Sequence, residues 1–166
     1  MKPADFIDVD IATQTLRLLR GGKEAARYPV STALNGAGQA MGSECTPLGW
    51  HRVRLKIGAG CPPGTVFVAR RPTGEVWSEA LAARCPDRDW VLSRILWLSG
   101  CEPGRNRGGA CDSLRRFIYI HGTPPCEPVG EPRSHGCIRM RDADVIALFD
   151  AVPAGLPVLI REGERC

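Results

Sequence analysis

The chain has 166 residues, enough for one domain with a substantial hydrophobic core, and carries a net charge of only +4. Its hydrophobic fraction of 43% and charged fraction of 24% are typical of a soluble globular protein. Arginine supplies almost all of the basic charge, yet the small net charge argues against strong phosphate binding, and therefore against a nucleic-acid-binding β-barrel.

The pattern of apolar residues predicts a series of short strands. Nineteen glycines and 14 prolines predict many turns, which favours strands over a helical bundle. Gly21 and Gly22 form the turn of a hairpin signature, Pro29 suits a sheet edge or strand start, and Pro72–Gly74 is the predicted turn between two later strands. The predicted strands and extended segments are 5–10, 14–22, 24–33, 50–58, 65–71, 74–81, 115–122 and 156–162.

Two segments have a different period. Residues 89–100 are compatible with a short helix or with a helix followed by a strand. Residues 141–155 have apolar residues at helical spacing, with Asp142 as the predicted N-cap and Pro153 and Gly155 ending the helix. The predicted fold is one mainly-β domain over residues 1–166 with one or two short helices, in which His121 ends a strand and SHGC directly precedes a helix.

Neither a membrane span nor an export signal is evident in the sequence. No segment approaches the length of apolar sequence that a transmembrane helix needs. Asp5, Asp8 and Asp10 interrupt the N-terminal segment, which therefore lacks the apolar region of a signal peptide. We expect a cytoplasmic protein without a membrane partner, or a periplasmic one if a leader has been removed.

The eight cysteines allow several interpretations. An even number is compatible with disulfides in a secreted protein, but a chain of this length does not need them and shows no export signal. No two cysteines have a C-x-x-C or similar spacing, which argues against structural zinc. We therefore predict no structural zinc site, and we interpret most of the eight cysteines, the last of which is Cys166, as small buried hydrophobic residues.

Two short motifs carry the most chemistry. His121 in HGT precedes Cys137 in SHGC by 16 residues, the reverse of the order in papain-like enzymes. A catalytic thiol must become a thiolate, and His121 is the candidate base, its tautomer fixed by a hydrogen bond to a backbone carbonyl. The amides of His135, Gly136 and Cys137 are the candidate oxyanion donors. A metal site, a disulfide or a plain turn-rich loop are the alternatives for this stretch.

The stretch HGTPPCEPVGEPRSHGCIRM resembles the signature of the L,D-transpeptidase (YkuD-like) catalytic domain, in which His-Gly-Thr is followed by Ser-His-Gly-Cys-Ile/Val-Arg. The segment YPVSTALNGAGQ…GSECTPLGWHRVRLKIG resembles the strand and loop ahead of that family's active site. Together the similarity covers about residues 5–162. It implies a β-sandwich or barrel fold with one or two short helices.

The resemblance implies no metal and no organic cofactor, and it implies a role for each matching residue. Cys137 would be the nucleophile and His121 its base. Ser134 and His135 would shape the pocket and the oxyanion hole, and Gly136 would permit its geometry. The residues implied to contact substrate are Arg139, which would orient the site or bind a carboxylate, and Gly122 and Thr123 of the HGT motif.

Members of this family attack the bond between the L-centre of a diamino acid and D-Ala in a peptidoglycan tetrapeptide, and pass the acyl group to an amine or to water. Residues 97–122 resemble a cytoplasmic branch whose members act as L,D-carboxypeptidases in peptidoglycan recycling. Arg105 and Arg107 in that segment would suit carboxylate-rich stem peptides through bidentate contacts. We therefore expect a monomer that hydrolyses stem peptides or muropeptides and is reactive toward carbapenems.

Two alternatives remain open at this point. One is an L,D-transpeptidase that forms 3-3 cross-links or attaches proteins to peptidoglycan. The other is a non-catalytic module that binds peptidoglycan fragments, although such a module does not need the His121 and Cys137 pair. His51 lies in a predicted half-buried strand, and we expect it to have a structural role.

Overall fold

The computed structural model of the protein describes residues 1–164, so that Cys166 lies outside the described residues. Within that range the chain forms ten β-strands, two α-helices and a single turn of 3-10 helix at Gly109–Cys111. The strands are β1 (Phe6–Asp10), β2 (Thr15–Arg20), β3 (Lys23–Pro29), β4 (Gly49–Ile57), β5 (Thr65–Val68), β6 (Arg71–Val76), β7 (Val91–Gly100), β8 (Tyr119–Thr123), β9 (Ile138–Arg141) and β10 (Pro157–Arg161). The helices are α1 (Glu79–Arg84) and α2 (Asp142–Ala151), and the predicted mainly-β fold is confirmed.

All ten strands belong to one curled sheet, described here for residues 1–164. Its path runs β3-β2-β1-β10-β4-β7-β5-β6, and β8 joins by pairing with β7. Strand β7 thus has three neighbours, β4, β5 and β8. Strand β9 pairs with β8 in parallel, so that β8 and β9 form a branch from the middle of the sheet.

The N-terminal hairpins follow the predicted pattern. Strands β1, β2 and β3 are antiparallel neighbours, and Gly21 and Gly22 connect β2 to β3 with φ of 57° and 76°. Two consecutive residues in the left-handed region match the twist of a two-residue hairpin, which explains the two glycines. Pro29 ends β3, the edge strand, where its missing N–H costs no ladder bond.

The segment that connects β5 to α1 differs from the prediction. The turn lies at Ala69 and Arg70, not at Pro72–Gly74, because β5 pairs with β7 through Val66 and Phe67 and the hairpin reverses directly after it. Residues 79–81 were predicted as the end of a strand but begin α1. Ser78 caps this helix by accepting a hydrogen bond from the Leu81 amide, a local signal that the strand interpretation overlooked.

Two predictions about helices also need correction. Residues 91–100, which had an ambiguous pattern, form the longest strand, because β7 is paired on both edges by β4, β5 and β8. The N-cap of α2 is Arg141 and not Asp142. The Asp142 carboxylate instead accepts a hydrogen bond from Ser93 Oγ at 2.6 Å, which fixes the start of α2 against β7.

The hydrophobic core lies between the sheet and α2. Val145, Leu148 and Phe149 of α2 are buried in the same cluster as Leu96 of β7 and Ile120 of β8. This packing fixes the position of β8, the strand that carries the HGT motif. No helix within residues 1–164 is both long and apolar enough to cross a membrane.

Candidate active site

The HGT and SHGC motifs meet because β8 and β9 are parallel neighbours. In this register His121 lies opposite Arg139. Cys137 immediately precedes β9, and the Tyr119 amide of β8 donates to its Sγ at 3.4 Å. His121 therefore lies inside β8 and not at its end, and SHGC leads into β9 before α2 begins, since this short strand completes the pairing with β8.

One cavity of about 220 Å³ contains both motifs. Five of the predicted site residues line it, and six further residues complete the wall. The lining consists of Asp89, Val91, Arg116, Phe117, Ile118, Tyr119, His121, Ser134, His135, Cys137 and Arg139. The structure thus brings the predicted nucleophile and base into a single enclosed space.

The position of His121 is fixed by burial and by one hydrogen bond. Only 2% of the residue is exposed, and its Nδ1 lies 2.7 Å from the Gly122 carbonyl oxygen. Since a carbonyl only accepts, Nδ1 carries the proton and Nε2 is left as the basic nitrogen. Burial lowers the pKa of His121, so that the imidazole is neutral at pH 7 and ready to accept a proton.

The Cys137 thiol is protonated in the resting protein. Burial raises its pKa to about 11, and the negative charge of Asp89 acts in the same direction, while the Tyr119 amide, Arg139 and Arg116 oppose it. The thiol donates to the Phe117 carbonyl at 3.3 Å. The thiol proton must therefore leave during the reaction, and His121 is the candidate base that accepts it.

The turn at residues 134–137 has a rigid, specified shape. Ser134 Oγ donates to the Cys137 carbonyl at 2.5 Å and accepts from the Gly136 amide at 3.2 Å. Thr46 Oγ1 donates to the Gly136 carbonyl at 2.9 Å. With the Gly136 amide directed at Ser134, the amides of His135 and Cys137 remain, and neither donates to a protein acceptor among residues 1–164. These two amides are the better candidates for an oxyanion hole.

The sequence matches the model of a known protein family. A family model described as the L,D-transpeptidase catalytic domain (YkuD) matches residues 4–160. The chain belongs to this family. The resemblance inferred from HGT and SHGC is thereby confirmed, and the match covers every strand of the sheet except the last residue of β10.

Individual L,D-transpeptidases show more limited similarity. The chain is 46% identical over 50 residues to the YqjB protein of Bacillus subtilis (strain 168), which carries a provisional L,D-transpeptidase name, and the match covers 30% of this chain and 28% of that protein. L,D-transpeptidase 3 from Mycobacterium tuberculosis, solved with a faropenem-derived adduct, superposes with a TM-score of 0.59 at 20% identity over 96% of this chain and 61% of that one.

A mutant L,D-transpeptidase from Enterococcus faecium gives a TM-score of 0.58 at 17% identity, covering 96% of this chain and 50% of that one. At such low identity these likenesses support the shared fold alone. The chain spans between half and two thirds of the length of these two solved structures.

The L,D-transpeptidase site contains an acidic residue that the motifs do not reveal. Asp89 Oδ1 accepts from Arg139 Nη2 at 3.0 Å, and Asp89 Oδ2 lies 3.6 Å from His135 Nδ1. Arg139 is only 7% exposed and has Glu127 as a second, longer contact at 3.9 Å. Arg139 is therefore already neutralised by acidic side chains, which favours its orienting role over direct binding of a substrate carboxylate.

Four predicted substrate-binding residues do not line the cavity. Arg105 pairs with Glu102 at 3.1 Å and borders a separate groove of about 1120 Å³, while Arg107 is exposed in the same loop. A Cβ on Gly122 would lie 2.4 Å from Asp142 Oδ1, so this glycine allows close approach of α2. Thr123 is buried in the pairing with β9.

The larger groove is lined by no cysteine, serine, threonine or histidine, and its Asp8 carboxylate is already paired with Arg17 and Arg161. The cavity at Cys137, although smaller, is therefore the candidate active site.

Arg116 has the position in the cavity wall that the sequence predicted for Arg105 and Arg107. It lines the cavity, and its guanidinium donates to the Cys45 carbonyl at 2.6 Å and the Gly38 carbonyl at 3.2 Å. These bonds tie the loop at 34–48 to the segment that leads into β8. Because its partners are neutral, Arg116 brings a positive charge to the cavity and lowers the pKa of the Cys137 thiol.

A metal site and a disulfide were the alternatives for the stretch that contains the two motifs. Within residues 1–164, no cluster of three or more His, Cys, Asp or Glu side chains is placed to hold a metal ion. Seven cysteines in this range are free thiols, and all but the exposed Cys126 are partly buried. None of these seven cysteines is fully buried, so the interpretation of most cysteines as buried hydrophobic residues is only approximately right.

Replacing Gly136 by alanine is expected to damage both the fold and the acylation of Cys137. Its φ of 129° is rarely adopted by other residues, and a Cβ would lie 3.2 Å from the Cys45 carbonyl oxygen. We expect a loss of about 1–3 kcal/mol in unfolding free energy and slower acylation, measured by urea denaturation and by mass spectrometry.

Gly130→Ala is the matched control, because Gly130 also has a positive φ of 89° but its Cβ would meet nothing within 4 Å. If both variants acylate at the wild-type rate, the shape of the 134–137 turn is not required for the reaction.

Proposed function

We propose that this protein is a cysteine acyl-transfer enzyme that cleaves the bond between the L-centre of a diamino acid and the terminal D-Ala of a peptidoglycan stem peptide. The observation that carries the proposal is the shared cavity of Cys137 and His121, in which the Gly122 carbonyl fixes the histidine with Nε2 as the base. Membership of the L,D-transpeptidase family supports the substrate class.

The first half-reaction forms a thioester. His121 Nε2 accepts the proton of the Cys137 thiol as Sγ attacks the carbonyl carbon before D-Ala. The amides of His135 and Cys137 stabilise the oxyanion of the tetrahedral intermediate. His121 then returns the proton to the departing amine, D-Ala leaves, and the acyl group remains on Sγ.

We propose water as the acceptor in the second half-reaction. The resemblance of residues 97–122 to the L,D-carboxypeptidase branch of the family supports hydrolysis over transfer to a second peptide amine. The loop arginines no longer contribute to this preference, because Arg105 and Arg107 lie outside the cavity.

A cytoplasmic location belongs to the same proposal. Seven free cysteines in residues 1–164 are typical of a reducing compartment, where soluble stem-peptide fragments would be the substrates. The alternative is a transpeptidase that uses an amine acceptor to form 3-3 cross-links or to attach proteins, and it shares the chemistry up to the thioester.

The test is incubation with a disaccharide-tetrapeptide, with and without an added acceptor amine, followed by mass spectrometry. We expect equal amounts of free D-Ala and disaccharide-tripeptide, and neither product with Cys137→Ala. A cross-linked dimer as the main product would replace hydrolysis by transpeptidation. Binding of the tetrapeptide without any release of D-Ala would instead support a non-catalytic module.

A further inference from the structure

The turn between β5 and β6 carries an arginine, Arg70, that has no role in the two proposed half-reactions. Ala69 and Arg70 form this turn with φ of 47° and 65°. Two successive left-handed residues are unfavourable without glycine, so the tertiary structure must stabilise the turn. Arg70 is partly buried, which shows that its side chain lies back against the protein.

Arg70 rests on three aromatic residues. Its guanidinium carbon lies 4.8 Å from the centre of the Trp97 ring and 5.1 Å from that of Phe117. Its Nη1 donates to Tyr119 Oη at 3.2 Å. Cation–π contacts of this kind hold a guanidinium in one place without neutralising its charge.

The same aromatic residues hold the nucleophile. The Tyr119 amide donates to Cys137 Sγ, and the Phe117 carbonyl accepts from it. Phe117 and Tyr119 also line the cavity, and Phe117 is 50% exposed with an unfavourable φ of 56°. Arg70 does not itself line the cavity, but its guanidinium contacts the side chains of two residues that do, Phe117 and Tyr119.

The charge of Arg70 is not balanced by an acidic side chain. Among residues 1–164, Arg70 takes part in none of the ion pairs. Arg139, by contrast, is paired with Asp89. A guanidinium has five N–H donors, and the protein uses one of those of Arg70. The other N–H groups can therefore donate hydrogen bonds to a planar oxyanion of a ligand.

We propose that Arg70 is a specificity-determining residue that binds a free carboxylate on the acyl-donor side of the scissile bond. This inference rests on the proposed function, since it names which form of the stem peptide the site prefers. A donor whose diamino acid carries a free side-chain carboxylate is favoured over the same donor with a carboxamide, because the carboxylate is negatively charged and offers two oxygens for a bidentate pair with the guanidinium, whereas the carboxamide is neutral and offers one.

The test compares free-acid and amidated donor peptides with wild type and Arg70→Met, which retains a side chain that can cover the aromatic rings. We expect kcat/KM for the free acid to fall about 10- to 100-fold in Arg70→Met, with little change for the carboxamide. Arg71→Met is the matched control from the same hairpin, because Arg71 is exposed whereas Arg70 lies against Trp97, Phe117 and Tyr119, and the control should change neither value. An equal fall in kcat/KM for both donors would mean that Arg70 only stabilises the hairpin, and it would overturn the inference.

A second measurement separates this inference from the proposed function. Iodoacetate and iodoacetamide alkylate thiols and differ in charge, so the ratio of their rates at Cys137, followed by peptide mass spectrometry, reports the local positive charge. We expect the ratio to fall about 3- to 10-fold in Arg70→Met and to stay constant in Arg71→Met. An unchanged ratio overturns the inference whatever the peptide assays give. A changed ratio in a protein that processes no stem peptide supports the anion site and contradicts the proposed function.

Discussion

Replacing His121 by glutamine is expected to slow acylation of Cys137 by about 100- to 10,000-fold at pH 7. The burial of Cys137 raises the pKa of its thiol to about 11, so that only about one thiol in 10,000 is ionised at neutral pH without a base. Glutamine fills a similar volume but cannot accept the proton. Rapid mixing with donor peptide, followed by the mass of the intact protein, measures the rate.

The pH profile distinguishes loss of the base from a general defect. Because burial lowers the pKa of His121, wild-type acylation should already be maximal at neutral pH. In His121→Gln the rate should instead rise about tenfold per pH unit as thiolate forms. His51→Gln is the matched control, since His51 is also buried but lies outside the cavity, and at pH 7 it should acylate normally. A pH-independent His121→Gln rate would identify a different base.

The parts of the fold that the sequence predicted are those in which neighbouring residues determine the structure. Strands β1 and β2 have apolar residues at alternate positions, and two glycines mark the turn into β3, so both features were recognisable. Within β4 the alternation correctly placed Val53 inside, but Leu55 is 47% exposed because the pairing with β7 shifts register after Val53. Such a bulge depends on the partner strand and is not encoded in the alternation itself.

The same distinction applies to the site. His121 and Cys137 were predictable because each belongs to a short motif, HGT or SHGC, that resembles the family signature. Asp89 lies 50 residues before its partner Arg139 and belongs to no motif. Only the pairing of β7 with β8 brings its segment to the cavity.

The protonation of the thiol could not be predicted from spacing either. The requirement for a thiolate follows from chemistry, but the resting state depends on burial, which only the folded chain determines. Arg105 shows a related limit, because Glu102 captures its guanidinium three residues earlier in the same loop. A loop arginine was therefore a poor guide to substrate contact, whereas Arg116, which ties two loops together, lines the cavity.

Acidification is expected to destabilise the protein through His51. This residue is fully buried in β4, with Nδ1 3.0 Å from the Gly49 carbonyl oxygen and Nε2 2.8 Å from Ser113 Oγ. Nδ1 donates to the carbonyl, so Nε2 is unprotonated and accepts from the serine hydroxyl. Burial lowers the pKa of His51 from 6.5 to about 4, a change that Arg105 and Arg116 support and Glu102 opposes.

The sign of the effect follows from the two pKa values. Between pH 6.5 and about 4 the unfolded chain binds a proton at His51 that the folded chain does not, so stability decreases as the pH falls through this range. The full difference corresponds to about 3 kcal/mol. Above pH 6.5 the histidine is neutral in both states and contributes no pH dependence.

Urea denaturation of wild type and His51→Gln between pH 7 and pH 4 isolates this contribution. The variant loses the hydrogen bonds at every pH but retains the other titrating groups, including His121 and the paired Asp8. Its unfolding free energy should therefore decrease less steeply on acidification, by up to about 3 kcal/mol over the range. Equal slopes in the two proteins would show that His51 titrates normally.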